Sequence, residues 1–360
     1  MRVLLIGAGA IAHHHAAAAR LIPAEAILAA DPSAEARARF SAAYPEAGIF
    51  ETPEAMLASA PAGRDDIVVV AVPPWLHAPM TLMAFEAGFH VLCEKPVART
   101  LAELDGMLAA AETAGRRLGD CAIRFNGQPS MRRASALIGE GALGQLNLVR
   151  MIHRSVRGRP GIEYQPASRW FLDPDLAGGG VLVDWSVYDL AMLFDVLRPT
   201  EVRVDAAHLA RIEGRDDPPD HPPRVESHVA AMLRLVLPDG ATVPCLYERA
   251  NGVNGPAHAE LSVEGTTGGL SWQWLPPYDG DATRVTRFVD GGGKVEREVE
   301  TLPMGEHPHF HHQPLLAMAA AVAGRPSNAL AAADLRFNFA VIAAIQSVAA
   351  DAAAATIRRA

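Results

Sequence analysis

Val3-Leu4-Leu5-Ile6 runs directly into Gly7-Ala8-Gly9-Ala10-Ile11-Ala12. Four apolar residues without alternation predict a strand buried on both faces. The G-x-G-x-x-A that follows predicts a tight turn opening a helix, the strand–turn–helix start of a dinucleotide-binding unit. In such a turn Gly7 makes the bend, Gly9 leaves room for a pyrophosphate to reach the backbone, and the small Ala12 lets the helix lie close to the strand. The helix start also offers free N–H groups and a positive dipole end to phosphates. Gly7, Gly9, Ala10, Ile11 and Ala12 are therefore candidate cofactor contacts. Asp31 follows the next predicted strand, 26–30, at the spacing expected of a ribose contact. Its carboxylate would accept from a 2′-OH and repel a 2′-phosphate, which favours NAD over NADP. Pro32 and Ser33 supply no arginine for such a phosphate.

The alternation begun there continues. Apolar strands are predicted at 3–6, 26–30, 67–72, 90–93 and 117–123, with helices at 10–21, 34–43, 53–59, 78–87 and 101–114. Short strands separated by helices predict a parallel sheet covered on both faces. Beyond residue 124 the texture changes to a strand at 145–156, a polar, Arg-rich loop to residue 174 and a helical run at 181–197. Strands follow at 201–211, 226–237, 242–249, 257–263, 270–274, 284–290 and 294–300, and helices at about 309–323 and 334–355 close the chain. Turns such as Pro238-Asp239-Gly240 make the second sheet mainly antiparallel. The expected organisation is α/β, with a dinucleotide-binding domain at 1–122 and a substrate-binding and oligomerisation domain at 123–360.

Composition narrows the class. Half of the 360 residues are hydrophobic and 20% are charged, which excludes a disordered chain or a small disulfide scaffold. Three scattered cysteines fit a reducing cytosol. A net charge of −9 argues against nucleic acid or an anionic membrane as partner. The apolar runs at 315–324 and 340–355 are short or broken by Gln346 and Asp351, so no membrane span is expected.

Two of the 32 cationic residues are lysines, Lys95 and Lys294. Where arginine serves for ordinary positive charge, a lysine points to a compact ammonium that can lose its proton. Lys95 lies in Cys93-Glu94-Lys95-Pro96, just past a predicted strand, where open parallel sheets bind ligands. Read as structure alone, the same residues are a surface Glu–Lys pair before a helix. Gly178-Gly179-Gly180 precedes Asp184 and Tyr188, which stand i and i+4 on the predicted helix and would share a face. Taken alone, that pair is ordinary packing and capping.

Together these motifs resemble the Gfo/Idh/MocA oxidoreductase family. The resemblance is carried by G-x-G-x-x-A, Pro73-Pro74-Trp75-Leu76-His77, Glu94-Lys95-Pro96 and the triple glycine with Asp184 and Tyr188. Arg124-Phe125, Gly141-Ala142-Leu143-Gly144 and Glu264-Gly265-Thr266-Thr267-Gly268 extend it through the chain. It implies an N-terminal Rossmann domain, a C-terminal α/β domain with a large open sheet, and hydride exchange between a nicotinamide and a sugar, polyol or related cyclic alcohol. It implies Lys95, Asp184 and Tyr188 as catalytic residues, and adds Pro73, His77, Glu94 and Lys95 to the cofactor contacts. Tyr188 replaces the family's usual His, as in glucose–fructose oxidoreductase and dihydrodiol dehydrogenase types. Ser186, Ala191 and Pro74 stand where Gly, Asp and Asn are usual.

In the expected mechanism Tyr188 is acid and base, Lys95 tunes it and holds the hydroxyl, and Asp184 orients the substrate. An NAD-dependent lyase or glycosidase with transient oxidation, and a non-catalytic NAD-binding sensor, are the alternatives. The histidines at 13–15 lie on a predicted helix, where adjacent residues point in different directions and cannot chelate one ion together. The cluster His307, His309, His311 and His312 is expected to be structural or surface polar groups rather than zinc ligands, because no Cys or Glu completes a ligand set. The expected assembly is a homodimer or homotetramer in the cytoplasm.

Overall fold

The first 120 residues alternate as β1 (Arg2–Ile6), α1 (Ala10–Ala19), β2 (Ala26–Ala30), α2 (Ala34–Ala43), β3 (Gly48–Phe50), α3 (Pro53–Ala58), β4 (Ile67–Val70), α4 (His77–Glu86), β5 (His90–Cys93), α5 (Leu101–Ala114) and β6 (Leu118–Asp120). There follow α6 (Pro129–Gly139), β7 (Leu146–Ser155), α7 (Pro174–Ala177), α8 (Val181–Asp184), α9 (Ser186–Leu197) and the strands β8 (Glu201–Ala210), β9 (His228–Val236), β10 (Thr242–Asn251), β11 (His258–Gly265), β12 (Gly268–Trp272), β13 (Ala282–Asp290) and β14 (Val295–Pro303). Helices α10 (Gln313–Val322) and α11 (Ala332–Asp351) and strand β15 (Ala355–Arg358) end the chain. This computed structural model describes residues 1–59, 61–156, 168–211, 223–351 and 354–359. The central part of the expected Arg-rich loop and most of the Pro-rich stretch 216–223 lie outside the described residues.

Caps explain where the early helices begin. Ser33, Thr52 and Thr100 accept from the backbone N–H groups of Ala36, Ala55 and Glu103, satisfying donors that a helix start leaves without partners. Gly115 ends α5 in the left-handed conformation, at φ 60°. The six strands pair in the order β3-β2-β1-β4-β5-β6, all parallel, with β1 and β4 at the point where the winding reverses. Ile67–Val70 is buried throughout, as its unbroken apolar run predicts. Strand β3 was not expected: three half-buried residues carry too little pattern to be read. The predicted strand at 117–123 is shorter, because Cys121–Phe125 turns into a 3-10 helix.

The second sheet has nine strands in the order β14-β13-β12-β11-β7-β10-β9-β8-β15. All its pairs are antiparallel except β7 with β10, so the expected mainly antiparallel sheet is present. Helix α6 and strand β15 were not expected. The first opens on Pro129 and buries Met131, Ala134 and Leu137 between polar neighbours; the second is a four-residue edge.

The chain divides into two units: Met1–Arg124 with Leu176–Gly178 and Pro308–Arg336, and Phe125–Asp175 with Gly179–His307 and Phe337–Ala360. The first unit takes up 308–336 as well as 1–124, a stretch placed in the expected domain 123–360 by the sequence reading. The reason is burial. Leu315, Met318 and Ala319 join the core cluster that contains Val3, Leu5, Ala12 and Val69. Helix α11 is long and apolar enough to cross a membrane by length and composition, contrary to the expectation of none, yet half of its apolar window is buried in the protein. Leu335, Phe337, Val341, Ile345 and Val348 are the buried residues that mark it as a core helix.

Met318 packs against the backbone at Gly119 and is 1% exposed. Met318→Ala should lower the unfolding free energy by ~2–5 kcal/mol, measured by urea denaturation. A cost under ~1 kcal/mol would place α10 outside the core.

Candidate active site

The glycine turn lies at the winding reversal. Gly7 has φ +103°, and a Cβ there would stand 2.5 Å from the Ala71 carbonyl oxygen at the end of β4. Glycine is thus required twice, by backbone conformation and by close approach. At Gly9 the opposite holds: a Cβ would meet nothing within 4 Å, so open space lies over the start of α1. No side chain caps that start, and Ala10, Ile11 and Ala12 form its first turn. Asp31 borders the same corner. Its Oδ2 accepts from the Ala8 N–H at 2.9 Å and its Oδ1 from the Ser33 N–H at 2.8 Å. Arg37 donates to the carbonyls of Asp31 and Pro32, at 2.7 and 2.9 Å. The sequence reading of Pro32 and Ser33 did not weigh this cation, which reaches back one helical turn.

The loops after β4 and β5 share this rim. His77 is 1% exposed, with Nδ1 2.8 Å from the Pro96 carbonyl oxygen and Nε2 2.7 Å from that of Val72. Burial pushes its pKa down, while the two carbonyls, Glu94 and Glu103 work the other way. Neither ring nitrogen is left for a cofactor. His77 instead pins the loop holding Pro73 to the loop holding Lys95.

Glu94 likewise points into the protein. Its Oε1 accepts from His15 Nε2 and Arg124 Nη2, each at 2.8 Å, and its Oε2 from the Lys95 N–H at 3.2 Å. Burial raises its pKa, but the Arg124 guanidinium and His15 outweigh this and hold it well below the usual carboxylate range. A side chain expected to touch the cofactor is therefore committed to an internal ion cluster. His15, Glu94 and Cys121 bring metal-type donor atoms within 4.8 Å of one another. Within it, Arg124 balances the Glu94 charge in a buried ion pair at 2.8 Å.

Asp120, at the end of β6, was not singled out from sequence. It is 9% exposed and accepts from the Ala122 N–H at 2.8 Å. Burial first, and then the Glu94 charge, push its pKa up to about 7. His14 stacks on His311 with ring centroids 4.0 Å apart. Burial, with Arg124 as the next cause, pushes His311 down to about 3.

In the second unit the expected continuous helix is broken. Trp185 stands between α8 and α9, and the Tyr188 N–H donates to the Trp185 carbonyl instead of that of Asp184. Asp184 and Tyr188 thus sit on two sides of a kink rather than one above the other on one helix. Glu226 explains the kinked start: its Oε1 accepts from the Gly180 and Leu182 N–H groups, and a Cβ on Gly180 would stand 1.9 Å from the Glu226 carbonyl oxygen. Tyr188 is buried, edge-on to Phe125 and Trp185 at 5.3 and 5.8 Å. One residue on, Asp189 is fully buried and accepts from Tyr247 Oη and Arg249 Nε, each at 2.8 Å, and from Arg249 Nη2. The Arg249 guanidinium lies over the rings of Trp185 and Trp274, 5.1 and 5.6 Å from their centroids. No local sequence signal links Asp189 to Arg249, sixty residues away.

Residues 1–120 match GFO_IDH_MocA, described as "Oxidoreductase family, NAD-binding Rossmann fold", and residues 131–271 match "GFO/IDH/MocA C-terminal domain". The chain belongs to the Gfo/Idh/MocA oxidoreductases. This Gfo/Idh/MocA chain is 31% identical to D-glucoside 3-dehydrogenase of Escherichia coli (strain K12) over 211 residues, 58% of this chain and 57% of that protein. It is 36% identical to 1,5-anhydro-D-fructose reductase of Ensifer adhaerens over 156 residues, 42% of this chain and 44% of that protein. The chain thus spans about half the length of these curated relatives. An aldose-aldose oxidoreductase from Caulobacter crescentus, solved with glycerol, is similar over 99% of both chains at 26% identity and TM-score 0.73. Levoglucosan dehydrogenase, solved with NADH and levoglucosan, shares the fold over 99% of both chains at TM-score 0.75 and 21% identity. The residues of the first unit fit the family's NAD: open space over Gly9, an uncapped helix start and a carboxylate at Asp31.

Asp189→Ala leaves the Arg249 guanidinium buried without its anion. It should cost ~3–5 kcal/mol in chemical denaturation, whereas a change within ~0.5 kcal/mol would mean that Arg249 finds solvent.

Proposed function

We propose that this oxidoreductase interconverts a CH–OH group and a carbonyl on a sugar, polyol or related cyclic alcohol, with NAD preferred over NADP. The observation that carries the reading is Lys95, two residues beyond Cys93 at the carboxyl edge of the parallel sheet, with its loop anchored by Glu94 and His77. Ligands of open parallel sheets bind outside this edge. The names of similar proteins, D-glucoside 3-dehydrogenase, 1,5-anhydro-D-fructose reductase and inositol 2-dehydrogenase, put sugars and cyclic polyols first in a substrate screen.

Bound over Gly9, NAD would supply the hydride acceptor. The residues do the rest. Tyr188 takes the proton of the reacting hydroxyl, Lys95 holds the hydroxyl oxygen and favours the phenolate by its charge, and Asp184 orients the neighbouring hydroxyl. Asp31, fixed by two backbone N–H donors, meets a ribose 2′-OH and repels a 2′-phosphate. Three buried free cysteines support a reducing compartment, the cytoplasm. Met232 and Leu246 pair in register across β9 and β10 and are 54% and 37% exposed, which supports self-association through the open sheet as a homodimer or homotetramer.

A screen of sugars, polyols and inositols with NAD and NADP, following reduced cofactor, tests the reaction class. Lys95→Ala and Tyr188→Phe should each lower kcat by ~10²-fold or more with NAD affinity kept; near-normal turnover in Tyr188→Phe would end its assignment as the base. Asp31→Ala should narrow the preference for NAD over NADP, read as the ratio of kcat/KM for the two cofactors. An unchanged ratio would remove Asp31 from cofactor selection.

A further inference from the structure

The stretch that carries Asp184 and Tyr188 is fastened to the rest of the second unit on both sides. Just after Tyr188, Asp189 accepts from Tyr247 and Arg249 of β10. Before Asp184 the partner is Glu226, which the mechanism above does not use. Its Oε1 accepts from the Gly180 N–H at 2.8 Å and the Leu182 N–H at 3.1 Å, and its backbone carbonyl accepts from the Val181 N–H at 3.0 Å. Three consecutive backbone donors at the start of α8 thus end on one residue, forty-six positions from Gly180. A helix start leaves such N–H groups without partners of its own. A Cβ on Gly180 would stand 1.9 Å from the Glu226 carbonyl oxygen, so glycine is what lets the two backbones meet.

The acceptor is itself fixed. Ser227, next in the chain, donates its N–H to the Ala210 carbonyl at the end of β8, at 3.0 Å, and accepts from the Asn251 N–H at the end of β10, at 2.8 Å. From Glu226 the hydrogen bonds run on to both catalytic candidates. Gly180, whose N–H is held by Oε1, accepts from the Asp184 N–H at 2.9 Å. Val181, whose N–H is held by the Glu226 carbonyl, accepts from the Trp185 N–H, and the Trp185 carbonyl accepts from the Tyr188 N–H, each at 3.0 Å. Helix α8 has four residues, too few to hold its own geometry, so its place is set by what it is tied to.

We infer that Glu226 is a positioning residue that holds Asp184 and Tyr188 at their working places through the start of α8. This rests on the reading of Asp184 as the group that orients the substrate and Tyr188 as the one that takes its proton. What matters in Glu226 is the reach of its side-chain oxygen rather than its charge. Burial pushes its pKa up, so the charge is disfavoured at the very place where the oxygen is needed. An amide of the same length offers the Gly180 and Leu182 N–H groups an equivalent acceptor. A carboxylate shortened by one methylene withdraws that acceptor and leaves the backbone bond to Val181 in place. A catalytic group displaced by about 1 Å can lose ~10²-fold in rate.

The test sets reach against charge in two variants, with kcat/KM for oxidation of a substrate from the screen, Tm, and NADH affinity by fluorescence. Glu226→Asp keeps the charge and loses the reach; it should lower kcat/KM by ~10-fold or more with NADH affinity kept. Glu226→Gln keeps the reach and loses the charge; it should stay within ~3-fold of the wild type. Normal turnover in Glu226→Asp overturns the inference, and so does a Gln variant as poor as the Asp variant. A purely structural role would lower the Tm of Glu226→Asp and leave the kcat/KM of the folded enzyme unchanged, which also overturns it. The second measurement needs no activity: amide hydrogen exchange at Gly180 and Leu182 should be slow in the wild type and Glu226→Gln and ~10-fold or more faster in Glu226→Asp. Equal rates in all three overturn the inference. If Asp184→Ala and Tyr188→Phe keep full turnover, both this inference and the reading beneath it fall. If Tyr188→Phe is inactive and Glu226→Asp turns over normally, only this inference falls.

Discussion

A carboxylate removed from water must find positive charge or give up its own. Glu94 finds it in Arg124 just beyond β6, and the same oxygen lies 2.8 Å from His15 Nε2 in α1. The same side chain accepts the backbone N–H of Lys95 through its other oxygen. One compensated charge therefore ties together the helix that follows the glycine turn, the loop that carries the lysine and the segment that leaves the sheet. Against its burial, the Arg124 guanidinium holds the Glu94 carboxyl well below the usual carboxylate range, so the side chain is ionised at neutral pH. His77 stands between the loops after β4 and β5, its ring nitrogens facing the Pro96 and Val72 carbonyl oxygens, one of which accepts the single N–H of the neutral ring.

The second unit answers the same demand differently. Asp189 and Arg249 are both almost wholly buried, and each is the other's counter-charge. Tyr247 completes the acceptor side, and two tryptophan rings cover the guanidinium. Cation–π contact and a planar carboxylate pair both favour arginine over lysine here. Asp189 directly follows Tyr188 in α9, so a rigid ion pair sits at the base of the turn that presents the tyrosine. Glu226 fixes the start of α8, where its carboxylate accepts from the Gly180 and Leu182 N–H groups and its backbone leaves no room for a Cβ on Gly180. Helical periodicity runs straight through this stretch, whereas the backbone breaks at Trp185 between α8 and α9.

The legible part of the chain was its repeated local pattern. Buried parallel strands, capped helices and the glycine turn leave signals within a few residues, so β1, α1, β2, β4 and β5 fell close to their expected limits. Elements with little pattern of their own were missed: β3 and β15 are too short, and α6 hides a buried face among polar residues. The site divides along the same line. Glycines whose conformation is demanded by the adjacent turn could be read, and a rare lysine stood out against a background of arginine. His15, Arg124, Asp120, Arg249 and Glu226 could not, because their meaning lies in partners separated from them by tens of residues.

What the sequence determined alone was the parallel dinucleotide-binding sheet, the mainly antiparallel second sheet, and the residue types fit for a nicotinamide reaction. These follow from short-range sterics and from the spacing of apolar side chains, which every segment carries with it. The tertiary structure alone decided that α10 belongs to the first unit, that Glu94 and His77 turn their side chains onto the framework, and that Asp120 is buried where its charge is disfavoured. Burial and charge compensation are properties of a place in three dimensions. A carboxylate at the end of a strand is ionised or neutral according to what folding brings beside it.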